Sequence, residues 1–226
     1  MSEKKVISFS APFGADQQDF LIRFVERKIE EALDRERRPK VRILALPGGQ
    51  VPKRLTSEAV GYDAFIRAVV SSREMDAKNP NLRRTLFDFL NYPEDPDVAG
   101  HVHSVESNGE LTYRMQPHES VLVGIGFVTE LPPGDFYWVA PRSGLAAKWG
   151  ITVTNAPGTV DSDYRGEAGV LVYNRNSTPF DLRRGMRIAQ VIFGHGLFPE
   201  FEHLPSFAEF GKTERGVGGF GSTGLK

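Results

Sequence analysis

The chain has 226 residues, with 28 basic and 29 acidic side chains, 40% hydrophobic residues and no cysteine. The balanced charge argues against nucleic acid or an anionic membrane as a partner, and the lack of cysteine excludes a disulfide framework, a thiolate zinc site and a cysteine nucleophile. No apolar run approaches about 20 residues and the first residues lack the apolar core of a secretory signal, so we expect a soluble, cytoplasmic protein.

Residues 1–40 are predicted to form a helical extension. The pattern of one amphipathic helix runs from about Gln17 to Arg37 and ends before Pro39. Such a helix could bind a partner or a membrane surface, or it could dock on its own domain; the mixture of acidic and basic residues favours docking. The apolar residues at helical spacing are Phe20, Leu21, Phe24, Val25, Ile29, Ala32 and Leu33.

After Pro39 the chain has the pattern of short strands separated by Gly, Pro and Asn. Many short strands joined by turns predict an all-β fold of the sandwich or jelly-roll type, with residues 41–226 forming the main domain. The clearest predicted strands are Val121 to Thr129, Phe136 to Ala140, Gly169 to Tyr173 and Ile188 to Phe193.

Before the first of these strands, Asn81 to Leu90 is predicted to form a helix, and Val102 to Arg114 is predicted to form a hairpin that turns at Asn108-Gly109. His101 and His103 lie two residues apart and would share a strand face. No cysteine or close third ligand accompanies them, so we assign them no metal-binding role.

The last residues, Arg215-Gly-Val-Gly-Gly-Phe-Gly-Ser-Thr-Gly-Leu-Lys226, combine a cation, hydroxyls and an aromatic ring with five glycines. Glycines allow successive main-chain N–H groups to face one anion, while Arg215, Ser222 and Thr223 can bind phosphate oxygens. Phe220 has no apolar neighbours and suits stacking on a nucleobase. The segment is predicted to be a mobile phosphate clasp over 211–226; the alternative is a disordered Gly/Ser terminus.

Four further motifs precede this tail. They are Glu58-Ala-Val-Gly-Tyr-Asp63, Ala140-Pro-Arg-Ser-Gly-Leu-Ala146, Thr154-Asn-Ala-Pro-Gly-Thr-Val-Asp-Ser-Asp-Tyr-Arg-Gly-Glu167 and Arg184-Gly-Met-Arg-Ile-Ala-Gln190. Together with the tail they resemble, in order, the five motifs of the trimeric dUTP pyrophosphatases (dUTPases), almost continuously from about Glu119 to Leu225. The resemblance implies a distorted jelly roll (β-clip), Mg²⁺-dependent hydrolysis of dUTP to dUMP and pyrophosphate, and a homotrimer whose sites are shared between subunits.

The chain also departs from this family in length. Between Asp63 and Arg142 it is about forty residues longer than typical members, and the excess falls roughly over 68–115. Because this stretch contains element patterns of its own, we expect a folded insertion.

Cleavage between the α- and β-phosphates needs a positioned water, a base and cations. Similarity to the family places the catalytic aspartate at Asp161. The residues alone leave Asp163 open as well, because along a strand it would point the same way.

The resemblance also implies which residues hold the nucleoside. Asn155 would meet the imide edge of uracil, and the turn at Gly158 would fit closely around the base. Tyr164 would stack beneath the sugar and leave no space for a 2′-hydroxyl. In the tail, Phe220 and Gly221 would cover the base beside Ser222 and Thr223.

For the phosphates, Arg142, Ser143 and Gly144 would bind the β-phosphate and the bridging oxygen. Gln190 would hydrogen-bond phosphate or a metal-bound water. Asp63 would lie near the metal and act on it through water, since magnesium prefers phosphate oxygens and waters. Arg187 is expected to pair with an acidic residue near the site.

Two other functions remain open from the sequence. One is the related dCTP deaminase, including forms that also make dUMP, but Leu171 stands where that enzyme needs a glutamate for proton transfer. The other is a non-catalytic regulatory module that binds nucleotide, which the presence of Asp161, Arg142, Gln190 and Arg215 argues against.

Overall fold

The computed structural model describes residues 14–37 and 39–218. By contacts the chain divides into two units, Met1–Gly196 and Leu197–Lys226. The first unit contains the strands named below, and the described part of the second, 197–218, contains a short 3-10 helix at Phe207–Glu209.

Three α-helices lie in the described part of the first unit: α1 (Ala15–Arg37), α2 (Pro96–Ala99) and α3 (Ser143–Trp149). The helix predicted over residues 17–37 is confirmed as α1. None of the helices within the described ranges has the length and apolar character needed to cross a membrane.

The strands of the described chain form four antiparallel sheets, and the predicted all-β, jelly-roll-like fold is confirmed. The strand orders are β10-β12-β7-β3-β4, β11-β9-β14-β2, β13-β6-β5 and β1-β8. Their bounds are β1 Arg42–Ala45, β2 Tyr62–Phe65, β3 Ala68–Met75, β4 Arg83–Phe87, β5 Val102–Ser104, β6 Leu111–Met115, β7 Ser120–Gly124, β8 Phe127–Glu130, β9 Asp135–Pro141, β10 Ile151–Val153, β11 Gly158–Asp161, β12 Gly169–Asn174, β13 Phe180–Leu182 and β14 Arg187–His195.

The predicted strands at 136–140, 169–173 and 188–193 are confirmed as the centres of β9, β12 and β14. The predicted strand over 121–129 is instead two strands, β7 and β8. They separate at Gly126, whose φ of +76° lies in the left-handed region that glycine favours. This break sends the chain from the five-stranded sheet to the β1-β8 pair.

The predicted helix over residues 81–90 is wrong, because this stretch contains β4. Val69 pairs with Phe87 and Val70 with Thr85 across β3 and β4. Pairing with a strand that lies earlier in the chain therefore overrides the local helical pattern. The predicted hairpin over 102–114 is confirmed: β5 pairs with β6, and Gly109 in the turn has φ +68°.

The insertion shares the hydrophobic core of the jelly roll. Its buried side chains belong to the same cluster as those of β7, β9, β12 and β14. The expectation of a folded insertion is confirmed, and the segment is an integral part of the domain. The core residues that it contributes include Phe87, Phe89, Val98, Val102, Leu111, Tyr113 and Met115.

Helix α1 presents its apolar side chains to solvent, so the expectation that it docks on its own domain is wrong in this structure. Ion pairs such as Arg23–Asp19 (2.9 Å) and Lys28–Glu31 (2.6 Å) line its polar side. Mixed charges on the polar side of an amphipathic helix do not determine which surface, if any, covers its apolar side. The large apolar side chains that are 41% to 69% exposed are Phe20, Leu21, Ile22, Phe24, Val25, Ile29 and Leu33.

Candidate active site

A buried aspartate bound by two arginines forms one part of the candidate site. Asp63 lies on β2, opposite Gln190 of β14. Arg142 Nε donates to Asp63 Oδ1 at 2.8 Å, and Arg187 Nη1 donates to Oδ2 at 3.0 Å. The expected pairing of Arg187 with an acidic residue is therefore confirmed. Two cations share one carboxylate, which leaves this corner with an excess of positive charge suited to an anion.

The surrounding cavity, here called the Asp63 cavity, has a volume of about 210 Å³. Arg142 comes just before α3, which begins with Ser143 and Gly144. Gln190 Nε2 donates to the main-chain oxygen of Pro141 at 3.0 Å, which ties β14 to the end of β9. The structure thus brings the predicted residues of three separate motifs together. The cavity is lined by Leu55, Ala59, Gly61, Asp63, Arg142, Ser143, Gly144 and Gln190.

A glycine makes room for the glutamine of this cavity. A Cβ atom at Gly61 would lie 2.3 Å from Gln190 Oε1. A side chain at this position would require the Gln190 amide to shift, which gives a local physical reason for the glycine in the Gly-Tyr-Asp sequence of the first motif.

A second cavity, here called the hairpin cavity, has a volume of about 370 Å³ and lies beside β11. Asn155 sits in the loop between β10 and β11, where the Ala156–Pro157 peptide is cis. Gly158 begins β11 opposite Val139 of β9, and a Cβ there would lie 3.1 Å from Asn155 Nδ2. The lining residues from the third motif are Asn155, Thr159, Val160, Asp161 and Tyr164.

The two candidate aspartates are in different settings. Asp161 is the last residue of β11, is exposed and lines the hairpin cavity. Asp163 lies in the turn that follows the strand, so the expectation that it points the same way along a strand is wrong. Because β11 ends at Asp161, the alternation of side chains along a strand does not extend to Asp163. Geometry therefore favours Asp161 over Asp163.

Tyr164 is held by main-chain contacts. Its hydroxyl donates to the main-chain oxygen of Glu167 at 3.0 Å, and its N–H donates to the oxygen of Asp161 at 3.2 Å. The residue remains 39% exposed and lines the hairpin cavity.

Two lining residues of the hairpin cavity come from the insertion and were missed in the sequence. Ser72 lies on β3 and Arg83 on β4, and Arg83 Nη1 donates to the main-chain oxygen of Ser72 at 3.0 Å. The sequence could not identify them as cavity residues because β4 was predicted as a helix. The pairing of β3 with β4 brings them to the cavity that Asp161 also lines.

Among the described residues, the Asp63 cavity and the hairpin cavity have no lining residue in common. Within one chain the structure therefore groups the predicted site residues into two separate sets.

A third and larger cavity, about 790 Å³, includes Arg142 and Arg187 in its lining. Arg114 of the insertion donates from Nε to Asp181 Oδ1 at 2.7 Å and from Nη2 to Oδ2 at 3.0 Å in this cavity. The hydrogen bonds from Arg114 lower the pKa of the Asp181 carboxyl below its usual value.

The side chain of His101 in the insertion takes part in packing. The His101 ring stacks on Tyr113 with ring centres 4.9 Å apart, and His101 Nδ1 lies 3.1 Å from the main-chain oxygen of Arg114. The Tyr113 hydroxyl donates to Glu119 Oε1 at 2.6 Å. Burial and this acidic neighbour raise the pKa of Tyr113 well above its usual value.

Of the predicted clasp over 211–226, the structure describes residues 211–218, which include Arg215. Its Nε donates to the main-chain oxygen of Gly218 at 2.8 Å, and Gly218 N donates to the oxygen of Arg215 at 3.0 Å, which closes a tight turn. The guanidinium is exposed. The other predicted clasp residues, Phe220, Gly221, Ser222 and Thr223, lie outside the described residues.

Comparison with known proteins gives one consistent result. A family model described as dUTPase matches residues 105–224, which is more than half of the chain. The chain is 49% identical to a protein of Rhizobium rhizogenes named deoxyuridine 5′-triphosphate nucleotidohydrolase, over 123 residues that cover 54% of this chain and 75% of that protein. A protein of the same name from Gloeothece citriformis is 45% identical over 129 residues, or 55% of this chain and 87% of that protein.

A solved structure extends the likeness to the fold. A variant of the Staphylococcus bacteriophage 80alpha dUTPase, bound to dUpNHpp, superposes with a TM-score of 0.58 at 17% identity. The superposition covers 83% of this chain and all of that one, so it reaches well into the N-terminal half, which the family model does not match.

Proposed function

The chain belongs to the dUTPase family and is a dUTP diphosphatase; from this premise we propose that the hairpin cavity and the Asp63 cavity are the two halves of its nucleotide site. The observation that carries the proposal is the exposed carboxylate of Asp161 at a cavity also lined by Asn155 and Tyr164. These three residues could hold a nucleoside beside a base, and the cationic Asp63 cavity could hold the phosphates.

In the proposed reaction Asp161 orients a water molecule and accepts one of its protons. The water oxygen attacks the α-phosphorus in line, the bond to the bridging oxygen breaks, and dUMP and pyrophosphate form. Arg142, Ser143, Gly144 and Gln190 bind the leaving phosphates and offset the charge that develops on them.

The hairpin cavity supports selection of both base and sugar. Asn155 would offer a donor and acceptors to the imide edge of uracil, and a turn at Gly158 that fits closely around the base would exclude a C5 methyl group. Tyr164, whose hydroxyl donates to the main-chain oxygen of Glu167, would exclude a 2′-hydroxyl. The expected substrate is therefore the deoxyuridine nucleotide.

The side chains around Asp63 suit a magnesium ion that is bound mainly by the phosphate oxygens of the substrate and by water. The described residues contain no group of three or more His, Asp or Glu side chains arranged around a metal position. Each oxygen of Asp63 already accepts a hydrogen bond from an arginine, so this carboxylate suits contact with a metal-bound water. A bound Mg²⁺ would neutralise charge on the triphosphate.

A homotrimer with shared sites would account for the separation of the two cavities. Within one chain the predicted residues form two open half-sites with no common lining residue among those described. In a rotationally symmetric trimer, the hairpin of one subunit can face the Asp63 cavity of its neighbour. We propose this arrangement, with the tail of residues 211–226 closing over the bound nucleotide through Arg215 and the glycine-rich segment after it.

Hydrolysis in ¹⁸O-labelled water tests the site of attack. Attack at the α-phosphorus places the label in dUMP, whereas attack at the β-phosphorus places it in pyrophosphate. Parallel reactions with dCTP, dTTP and UTP should give much less product than dUTP. Release of ammonia from dCTP, or label in pyrophosphate, would contradict the proposal.

A further inference from the structure

A buried ion pair joins the last residue of the third motif, Glu167, to Arg67. Arg67 Nε donates to Glu167 Oε1 at 2.7 Å and Arg67 Nη2 donates to Oε2 at 2.5 Å, while Gly126 N donates to Oε1 at 2.8 Å. Only 1% of the Glu167 side chain and 12% of the Arg67 side chain are exposed. A carboxylate this deeply buried is costly unless donors occupy its oxygens, and here three N–H groups do so.

The surrounding backbone leaves room for this pair and no more. A Cβ atom at Gly124 would lie 2.4 Å from Glu167 Oε1. Gly124 O also accepts from the main-chain N–H of Arg67 at 2.9 Å, and Arg67 Nη1 donates to Thr85 Oγ1 at 3.3 Å. The pair is therefore fixed by the end of β7 and by β4 of the insertion.

The pair is connected to the hairpin cavity through Tyr164. The main-chain oxygen of Glu167 accepts the hydrogen bond from the Tyr164 hydroxyl at 3.0 Å. A Cβ atom at Gly166 would lie 2.4 Å from that hydroxyl, so the close approach of the ring depends on this glycine. The position of the Glu167 main chain, which the ion pair holds, thus sets the position of the tyrosine ring.

We propose that Arg67 and Glu167 are positioning residues for sugar selection: their buried ion pair holds the main chain that anchors Tyr164, and so prevents the ring from moving aside for a 2′-hydroxyl. The inference rests on the proposed role of Tyr164 at the deoxyribose. A ring excludes a hydroxyl group only if it cannot retreat, and shifts of about 0.5 Å are enough to relax such a site.

The test compares dUTP and UTP as substrates of the full chain. Glu167→Gln keeps the size of the side chain but turns one acceptor into a donor that must face Arg67 or Gly126. We expect the ratio of kcat/KM for dUTP to that for UTP to fall about tenfold, the effect of losing one good positioning contact. Arg67→Lys keeps the charge but loses the bidentate geometry, so the ratio should fall in the same direction. This second variant keeps the test available if the first does not fold.

Two controls separate positioning from general stability. Arg84 lies next to Thr85 on β4, and its guanidinium binds Glu74 and Asp95. Arg84→Met removes this guanidinium and should leave the ratio unchanged. In a Tyr164→Phe background the link through the hydroxyl is absent, so adding Glu167→Gln should not change the ratio further.

The outcomes distinguish this inference from the function on which it rests. If Tyr164→Ala leaves the ratio unchanged, the proposed role of Tyr164 fails and the inference fails with it. If Tyr164→Ala lowers the ratio while folded Glu167→Gln and Arg67→Lys do not, the inference alone is overturned. If Glu167→Gln lowers the ratio equally in the unchanged chain and in the Tyr164→Phe variant, the ion pair has a purely structural role and the inference is likewise overturned.

Discussion

Asp161 lies at the end of β11 with its carboxylate open to solvent, and the chain supplies no acidic neighbour to it on the same strand. The sequence alone left Asp163 as an alternative, because the end of a short strand cannot be located to within one or two residues by its pattern. The sequence predicted that Arg187 pairs with an acidic residue near the site, and the structure identifies that residue as Asp63. The contact of Arg67 with Glu167 was not predicted, since the two residues are 100 positions apart.

Asp161→Asn should retain binding of a non-hydrolysable dUTP analogue and lose turnover by roughly 10²- to 10⁴-fold, because a carboxamide cannot accept the proton of the attacking water. Steady-state kinetics and calorimetric binding measure the two effects. Asp163→Asn serves as the matched control and should keep nearly normal kcat. Nearly normal kcat in Asp161→Asn together with a large loss in Asp163→Asn would indicate that Asp163 is the base.

Asp181 provides a prediction about pH. Arg114 lowers the pKa of Asp181 in the folded protein, so the pair stabilises the fold above the ordinary carboxyl pKa, and this contribution is lost as the pH falls through the lowered value. Because both side chains are partly exposed, Asp181→Asn should lower the free energy of unfolding by up to about 1 kcal/mol at pH 7.

At about pH 2 the difference between Asp181→Asn and the unchanged chain should be smaller, because the native carboxyl is then increasingly protonated. Urea unfolding at both pH values measures it. An equal difference at the two pH values would show that the ion pair is not its source.

At the scale of elements, local patterns identified α1, β9, β12 and β14, whose periodicities are regular. They failed for β4, whose strand conformation depends on pairing with β3 and on burial of its last residue. The insertion is consequently both a source of core residues and a wall of the hairpin cavity, through Ser72 and Arg83.

Phe87 of β4 is 2% exposed and belongs to the main core, so Phe87→Ala should lower the free energy of unfolding by about 3–5 kcal/mol. Leu90, three residues later and 60% exposed, is the control, and Leu90→Ala should change it by less than about 0.5 kcal/mol. Urea denaturation measures both. Similar small effects at the two positions would mean that the insertion folds apart from the core.

At the scale of the whole molecule, the sequence could indicate a shared site only through its family resemblance, because no pattern within one chain specifies symmetry. The structure adds a physical argument: among the residues it describes, the hairpin cavity and the Asp63 cavity share no lining residue. The proposed trimer joins each hairpin cavity to the Asp63 cavity of another subunit.

Mixing two inactive variants tests this arrangement. Asp161→Asn disables the hairpin half and Arg142→Ala the phosphate half, so neither variant alone should turn over dUTP. After subunit exchange at equal amounts, about a quarter of the sites in randomly mixed trimers should combine two intact halves. Recovered activity near that fraction is the expected result, and no recovery in exchanged trimers would mean that each site lies within one chain.

The insertion, finally, constrains how this chain can evolve. Phe87, Phe89 and Met115 are buried against residues of the jelly roll that shorter relatives must cover in some other way. A deletion that restored the shorter form in one step would uncover that apolar surface, and partial deletions would break the β3-β4 pairing first. Such shortened forms should therefore be less stable than the present chain. Changes within the insertion are consequently limited by the same packing that stabilises the rest of the domain.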